Sequence, residues 1–299
     1  MVELSGGWFR MGADDGPHPE DGEGPARDVL VDPFALGATV VTVVQFRRFV
    51  QATGYVTLAE REGCSFVFEA FADPDGMFRA PMQAPWWRLV PGACWHCPDG
   101  PGRPSADLDR HPVTHVTHSD ALAYCRWTNT RLPTEAEWEF AARGGRHAQP
   151  FPWGDTLEPG GAHSCNVWQG EFPGRNTCAD GYAGTAPAES FAPNGFGFYN
   201  MTGNVWEWTA DRFTNRHSPR PQRNPRGPLN GASLVAKGGS YLCHASYCAR
   251  FRTSSRQELR PDTATGNLGF RVAAAKQSQC MTRSTKGLSA ARSQSTRVS

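Results

Sequence analysis

The sequence predicts one α+β domain over residues 1–275, loop-rich and with little regular secondary structure. Three observations carry that prediction. The 299 residues include 32 Gly and 24 Pro, which demand many turns. Ten tryptophans stand against disorder, because disordered chains are poor in aromatics. One strand candidate and three helix candidates lie in the first half of the chain, set in irregular sequence.

The segment from Ala13 to Arg27 is acidic and Gly/Pro-rich and reads as a surface loop. Phe34 to Val41 alternates and ends in β-branched residues, which predicts a strand. From Thr42 to Val50 the apolar residues fall at helical spacing. A second helix is predicted over 119–129, with Ser119 as N-cap and Leu122, Tyr124, Cys125 and Trp127 as apolar positions. The third is the clearest. Thr134 and Glu137 form a capping box, and Gly144-Gly145 stops the helix. Between Gly144 and Gly239 there is little periodicity. Residues 276–299 carry five Lys/Arg, no Asp or Glu and much Ser, which predicts a disordered polar tail. No aromatic is interleaved with its charge, so it does not read as a nucleic-acid arm.

The net charge of +1 gives no global field for nucleic acid or an anionic membrane. No apolar run approaches the ~20 residues needed to span a bilayer. The opening Met1-Val2-Glu3-Leu4-Ser5-Gly6-Gly7 has neither a basic region nor an apolar core of the secretory kind. Nine cysteines in no repeating framework favour reduced thiols, hence a cytoplasmic protein, over a disulfide scaffold. A monomer is expected.

The chemistry concentrates in Gly238-Gly239-Ser240-Tyr241-Leu242-Cys243-His244-Ala245-Ser246-Tyr247-Cys248-Ala249-Arg250. Two thiolates five residues apart can hold a soft metal, form a redox pair or do covalent chemistry. Zinc and iron–sulfur clusters want four protein ligands, usually as two close pairs. A single pair leaves two-coordinate Cu(I) as the natural soft-metal fit. A plain disulfide, or two buried core thiols, is the alternative. Cys94-Trp95-His96-Cys97 has no second pair to complete a zinc site and no strand–helix context for a thioredoxin-like role, and reads as incidental. His111, His115 and His118 resemble a metal cluster. On a strand, however, His111 and His115 would share a face and His118 would not, and His115 reads as a satisfied core histidine. Two oxygen-rich segments, Asn166 to Phe172 with Asp180-Gly181-Tyr182, and Asn200 to Glu207, suit a hard cation such as calcium. Ordinary Asx-turn hydrogen bonding is their alternative.

Three further motifs carry a family resemblance: Arg131 to Gly145 (RLPTEAEWEFAARGG), Gly203 to Trp208 (GNVWEW) and Asn267 to Arg271 (NLGFR). With the Gly238–Arg250 motif they resemble the formylglycine-generating enzyme (sulfatase-modifying factor) family, from about Gly6 to Ala273. The resemblance implies the C-type-lectin-like α+β fold of that family. It implies oxidation of a cysteine in the Cys-x-Pro-x-Arg motif of an unfolded sulfatase to Cα-formylglycine, with dioxygen as oxidant and a thiol reductant. It implies Cu(I) on Cys243 and Cys248, with Ser240 and Tyr247 supplying hydrogen bonds, Trp206 a wall of the oxygen pocket and Arg250 electrostatic support. It also implies one Ca2+ on Asn166, Val167, Asp180 and Tyr182, and another on Asn200, Gly203, Val205 and Glu207. Cys125 and Thr253 match positions disulfide-bonded in secreted relatives, but Cys125 would face Val272 and Thr253 is no cysteine, so those bridges are absent. Gln257 and Arg260 depart from the family pattern, which bears on substrate fit. The other reading is a non-catalytic paralogue that holds peptides in an aromatic groove near Pro85-Trp86-Trp87.

Overall fold

The structure, a computed structural model, describes residues 1–275 except 77, 83 and 103–106. The expected polar tail therefore lies outside the described residues. In chain order the elements are β1 (Val2–Leu4), β2 (Gly7–Met11), β3 (Arg27–Val31), β4 (Phe34–Leu36), α1 (Val43–Thr53), α2 (Leu58–Glu62), β5 (Cys64–Phe68), β6 (Trp87–Pro91), α3 (His118–Trp127) and α4 (Glu135–Arg143). After them come β7 (Gly170–Glu171), β8 (Arg175–Asn176), β9 (Trp206–Arg212), β10 (Gln222–Arg223), β11 (Leu234–Lys237), β12 (Arg256–Leu259), β13 (Leu268–Phe270) and β14 (Ala273–Ala275). The central sheet has the order β12-β11-β9-β13; smaller sheets are β1-β4-β14 and β10-β3-β2, with β5-β6 and β7-β8 as ribbons.

The Thr134/Glu137 capping box forms as predicted. Thr134 Oγ1 accepts the Glu137 N–H at 3.0 Å, and Glu137 Oε2 accepts the Thr134 N–H at 2.8 Å. Gly144 caps the other end at φ 56°, a conformation that glycine adopts without a Cβ penalty. The helix predicted over 119–129 starts earlier, at His118. Asp120 makes Thr117, not Ser119, the N-cap: its carboxylate accepts the Thr117 N–H at 2.8 Å while Thr117 Oγ1 takes the Asp120 N–H. The strand predicted to Val41 ends at Leu36, because the chain bends and Gly37 N–H turns to Val272 O at 2.8 Å. The Ala13–Arg27 segment is not a plain surface loop. It contains a 3-10 turn at Pro19–Asp21, and Asp21, Glu23 and Arg27 are buried.

Phe46, Tyr124, Trp208 and Phe270 centre the main core; Phe46 stacks on Tyr124 at 5.9 Å and Phe270 meets Tyr124 edge-on at 5.4 Å. A second core lies around Phe34, Trp138 and Phe140. Every residue of α4 is buried, including its charges. They are paired, as buried charges must be. Glu135 meets Arg256 at 2.5 Å, Glu139 meets Arg143 at 2.6 Å, and Lys237 meets Glu139 at 3.2 Å. This network ties α4 to β11 and β12, the strands bordering the thiol segment.

Candidate active site

Strand alternation in β9 sends Trp206 and Trp208 to one face and Glu207 to the other. Trp206 pairs with Leu268 of β13, and its N–H donates to Asn267 O at 2.8 Å. The turn after β11 begins with Gly238 and Gly239 at positive φ. A Cβ on Gly239 would sit 2.6 Å from Arg250 O, so only glycine lets the two ends of the thiol loop touch. The loop thus returns on itself and brings Cys243 and Cys248 together.

Both cysteines are buried and free. Burial raises the Cys243 thiol well above its ordinary range, and the hydrogen bond it shares with Cys248 adds to the shift. The same hydrogen bond lowers Cys248, against the opposing effect of burial. Of the two, Cys248 is therefore the thiol that gives up its proton more readily. The Ser240 N–H points at Cys243 Sγ at 3.4 Å. Ser240 Oγ accepts from the Asn267 amide at 2.9 Å, and Thr265 Oγ1 holds that amide's oxygen at 2.8 Å.

The thiols floor a cleft of about 190 Å³ lined by Trp86, Trp87, Trp206, Tyr247, Gln257 and Asn267 among others. Tyr247 is 44% exposed, yet its ring stacks on Phe172 at 4.4 Å and meets Trp86 edge-on at 4.8 Å. Burial, then Cys248 and Cys243, push its phenol up to about 12, so it stays protonated. Arg250 is bound by Asp21 through Nε at 2.5 Å and Nη2 at 3.2 Å. Burial works against its charge, but Asp21 outweighs burial and raises its pKa.

The six residues expected at the site thus come together: Ser240, Cys243, Tyr247, Cys248 and Trp206 line the cleft, and Arg250 borders it. Sequence reasoning missed Phe172, Asn267 and the strap His18–Glu23. His18 Nε2 donates to Cys248 O at 2.5 Å from 230 residues away. Only the Asn267 motif had a local signal.

The candidate metal ligands divide. Among the described residues no group of three or more His, Cys, Asp or Glu could hold a metal. That leaves the two thiols as a soft pair, a donor set that fits Cu(I) and falls short of zinc. The oxygen segments lie back to back: Asn204 N–H donates to Asn166 O at 2.8 Å. Asn166 Oδ1 and Asn200 Oδ1 are buried without a partner, as a hard-cation ligand would be before the ion binds. Asp180 accepts the Val167 N–H at 3.2 Å and the Tyr182 N–H at 3.0 Å, so it gathers the first set. Gln169 Nε2 bridges Val167 O and Asp180. In the second set, Val205 packs with Val40 and Ala188, and Gly203 is left-handed with its Cα facing Asn166 O. Glu207 is already engaged, by Arg271 at 2.6 and 2.7 Å and by Trp138 Nε1 at 2.7 Å.

The histidines form no cluster. His115 takes φ 58° rather than a strand conformation, is fully buried, and meets Ser65 Oγ at 2.8 Å; burial lowers it to about 4. His111 bonds Thr185 and His118 bonds Thr209 O. Cys94 and Cys97 face each other across a two-residue turn, both raised by burial. Cys125 is free and Thr253 bonds Gln149 O, so neither is bridged.

Relatives at 44–52% identity that are named formylglycine-generating enzyme, taken with the thiol cleft, mark an oxidoreductase that acts on a sulfur group. Residues 1–276 match the family model of the sulfatase-modifying factor enzyme 1-like domain. The chain is 52% identical over 281 residues to the formylglycine-generating enzyme of Thermomonospora curvata, covering 92% of this chain and 93% of that one. It is 44% identical over 276 residues to the inactive C-alpha-formylglycine-generating enzyme 2 of Mus musculus, covering 91% and 85%. PvdO from Pseudomonas aeruginosa superposes with a TM-score of 0.66 at 26% identity, over 92% and 93% of the two chains. The chain belongs to the sulfatase-modifying factor, or formylglycine-generating enzyme, family.

Proposed function

We propose that this protein oxidises one cysteine of an unfolded sulfatase polypeptide, within Cys-x-Pro-x-Arg, to Cα-formylglycine, with Cu(I) held by Cys243 and Cys248. The observation that carries this reading is the pair of free, buried thiols five residues apart on the floor of an aromatic cleft. Cu(I), when bound, supplies the one-electron chemistry that reactions of dioxygen require. Substrate cysteine, dioxygen and two equivalents of external thiol give aldehyde, hydrogen sulfide, disulfide and water, so atoms and electrons balance.

The chain's own residues orient and shield. Trp206 and Leu268 wall the cleft beside the thiols and exclude water. Asn267 fixes Ser240, whose N–H faces Cys243 Sγ. Tyr247, Phe172 and Trp86 form a shelf at the mouth on which an extended peptide can lie. Proline suits that shelf, because it pre-sets an extended backbone at low entropic cost. Ca2+ on the Asn166 and Asn200 sets would staple the irregular segments that carry Phe172 and Trp206. The unpartnered Asn166 and Asn200 oxygens support this.

A synthetic Cys-x-Pro-x-Arg peptide, Cu(I), dioxygen and a thiol test the activity. Expected is the mass change of thiol to aldehyde, with the Cys→Ser peptide binding but giving no product. Tight binding of the cysteine peptide without aldehyde, in copper-loaded protein, would assign this chain to the non-catalytic branch represented by the inactive mouse relative.

A further inference from the structure

Resting on the two-thiolate reading of the site, we propose that His18 is a positioning residue. Its imidazole Nε2–H, bonded to the Cys248 carbonyl, fixes where Cys248 Sγ stands relative to Cys243.

Cys248 ends a tight turn. The N–H groups of Tyr247, Cys248 and Ala249 all point at His244 O, at 3.0, 2.9 and 3.0 Å. Ala249 then adopts φ 46°, a left-handed conformation that disfavours any residue with a Cβ by roughly 1–2 kcal/mol. Such a conformation persists only where its surroundings over-determine it. The peptide between Cys248 and Ala249 is the unit in question. Its N–H is held by His244 O, and its C=O is held by His18 at 2.5 Å. Release of the carbonyl lets that peptide rotate, relaxes Ala249 and carries Cys248 away from Cys243.

His18 can act as a fixed donor because the strap behind it is anchored. Pro19 restricts the backbone at once. Asp21 pairs with Arg250, and the Asp21 and Gly22 carbonyls accept from Arg256 at 2.6 and 3.1 Å. The Glu23 carboxylate takes Arg252 at 2.7 Å and Ser254 Oγ at 2.7 Å. The strap thus grips Arg250 at the end of the thiol loop and three residues that follow it, Arg252, Ser254 and Arg256, and His18 reaches back from it to Cys248.

The test uses the full chain and two variants. His18→Leu keeps bulk and removes the donor; His18→Gln keeps an N–H near the Nε2 position. Cu(I) affinity is read by competition with a chromophoric chelator. In metal-free protein, the rate at which oxidised dithiothreitol closes the Cys243–Cys248 disulfide is read by mass. His18→Leu is expected to weaken Cu(I) binding about tenfold, the weight of one hydrogen bond, and to slow disulfide closure by a similar factor. His18→Gln should stay within about twofold of the parent in both. A lower melting temperature with both readouts unchanged in His18→Leu would show a purely structural contact and overturn the proposal, as would His18→Gln failing together with His18→Leu. If the parent protein binds no Cu(I), the copper reading fails, and the closure rates alone then decide the role of His18.

Discussion

Glu207→Gln separates two roles that converge on one carboxylate. Glu207 is fully buried, and its two oxygens accept from Arg271 Nε, Arg271 Nη2 and Trp138 Nε1. Glutamine preserves the volume but replaces one acceptor oxygen with a donor. Either orientation of the amide leaves Arg271, itself fully buried, without an anionic partner. Its remaining bonds run to the carbonyls of Gly37, Ala38 and Tyr199 at 3.0, 3.3 and 3.1 Å. Removing one member of a buried pair costs about 3–5 kcal/mol, because the other charge stays buried. For a domain of this size that corresponds to a melting temperature lower by roughly 10 °C. Thermal unfolding of parent and variant, each with and without a strong calcium chelator, provides the assay. The ion-pair account expects the difference between them to survive chelation. A loss under about 1 kcal/mol would refute it, and a difference that vanishes in chelator would refute it and make Glu207 a calcium ligand first.

Cys243→Ser and Cys248→Ser are each expected to abolish peptide turnover while circular dichroism and melting temperature stay near the parent values; full activity in either single variant ends the two-thiolate reading. Asp180→Ala should lower the melting temperature, and chelator should reproduce the effect in the parent, because an ion bound only to the native state stabilises it by mass action. Unchanged melting under chelation, with no calcium by metal analysis, counts against both oxygen sets. His115 gives a pH prediction. Burial lowers its folded pKa from 6.5 to about 4, so between these values the unfolded chain binds the extra proton. Stability is then intact above pH 6.5 and falls as pH drops towards 4, by roughly 3 kcal/mol from this residue. Urea unfolding from pH 7 to 4 should show that slope, and a flat profile would contradict it.

What the sequence disclosed follows the range of the interactions. The Thr134/Glu137 box spans three residues, so its residues alone determine it. The Thr117/Asp120 box is equally local, yet Ser119 offered a competing cap, and the carboxylate at position 120 settled the matter in favour of Thr117. Strand β9 showed no alternation because most of both its faces are buried, which erases the polar half of the pattern. The thiol pair was legible from a short motif. The strap was not: His18 and Asp21 reach Cys248 and Arg250 across 230 and 229 residues, and an acidic Gly/Pro-rich stretch looks solvated until its carboxylates are seen to meet Arg250 and Arg252.

Strand β4 lies between β1 and β14, so Leu36 faces Val2 on one side and Ala273 on the other. That arrangement has a consequence for biosynthesis. Phe34–Leu36 leaves the ribosome early, but the strand that covers its second edge is the last of the described fold to emerge. At ordinary elongation rates the wait is on the order of tens of seconds. Throughout it, a short apolar strand presents unpaired N–H and C=O groups to whatever passes. Nascent chains halted before Ala273 should therefore associate with one another or with chaperones, whereas chains released after that strand has emerged should not.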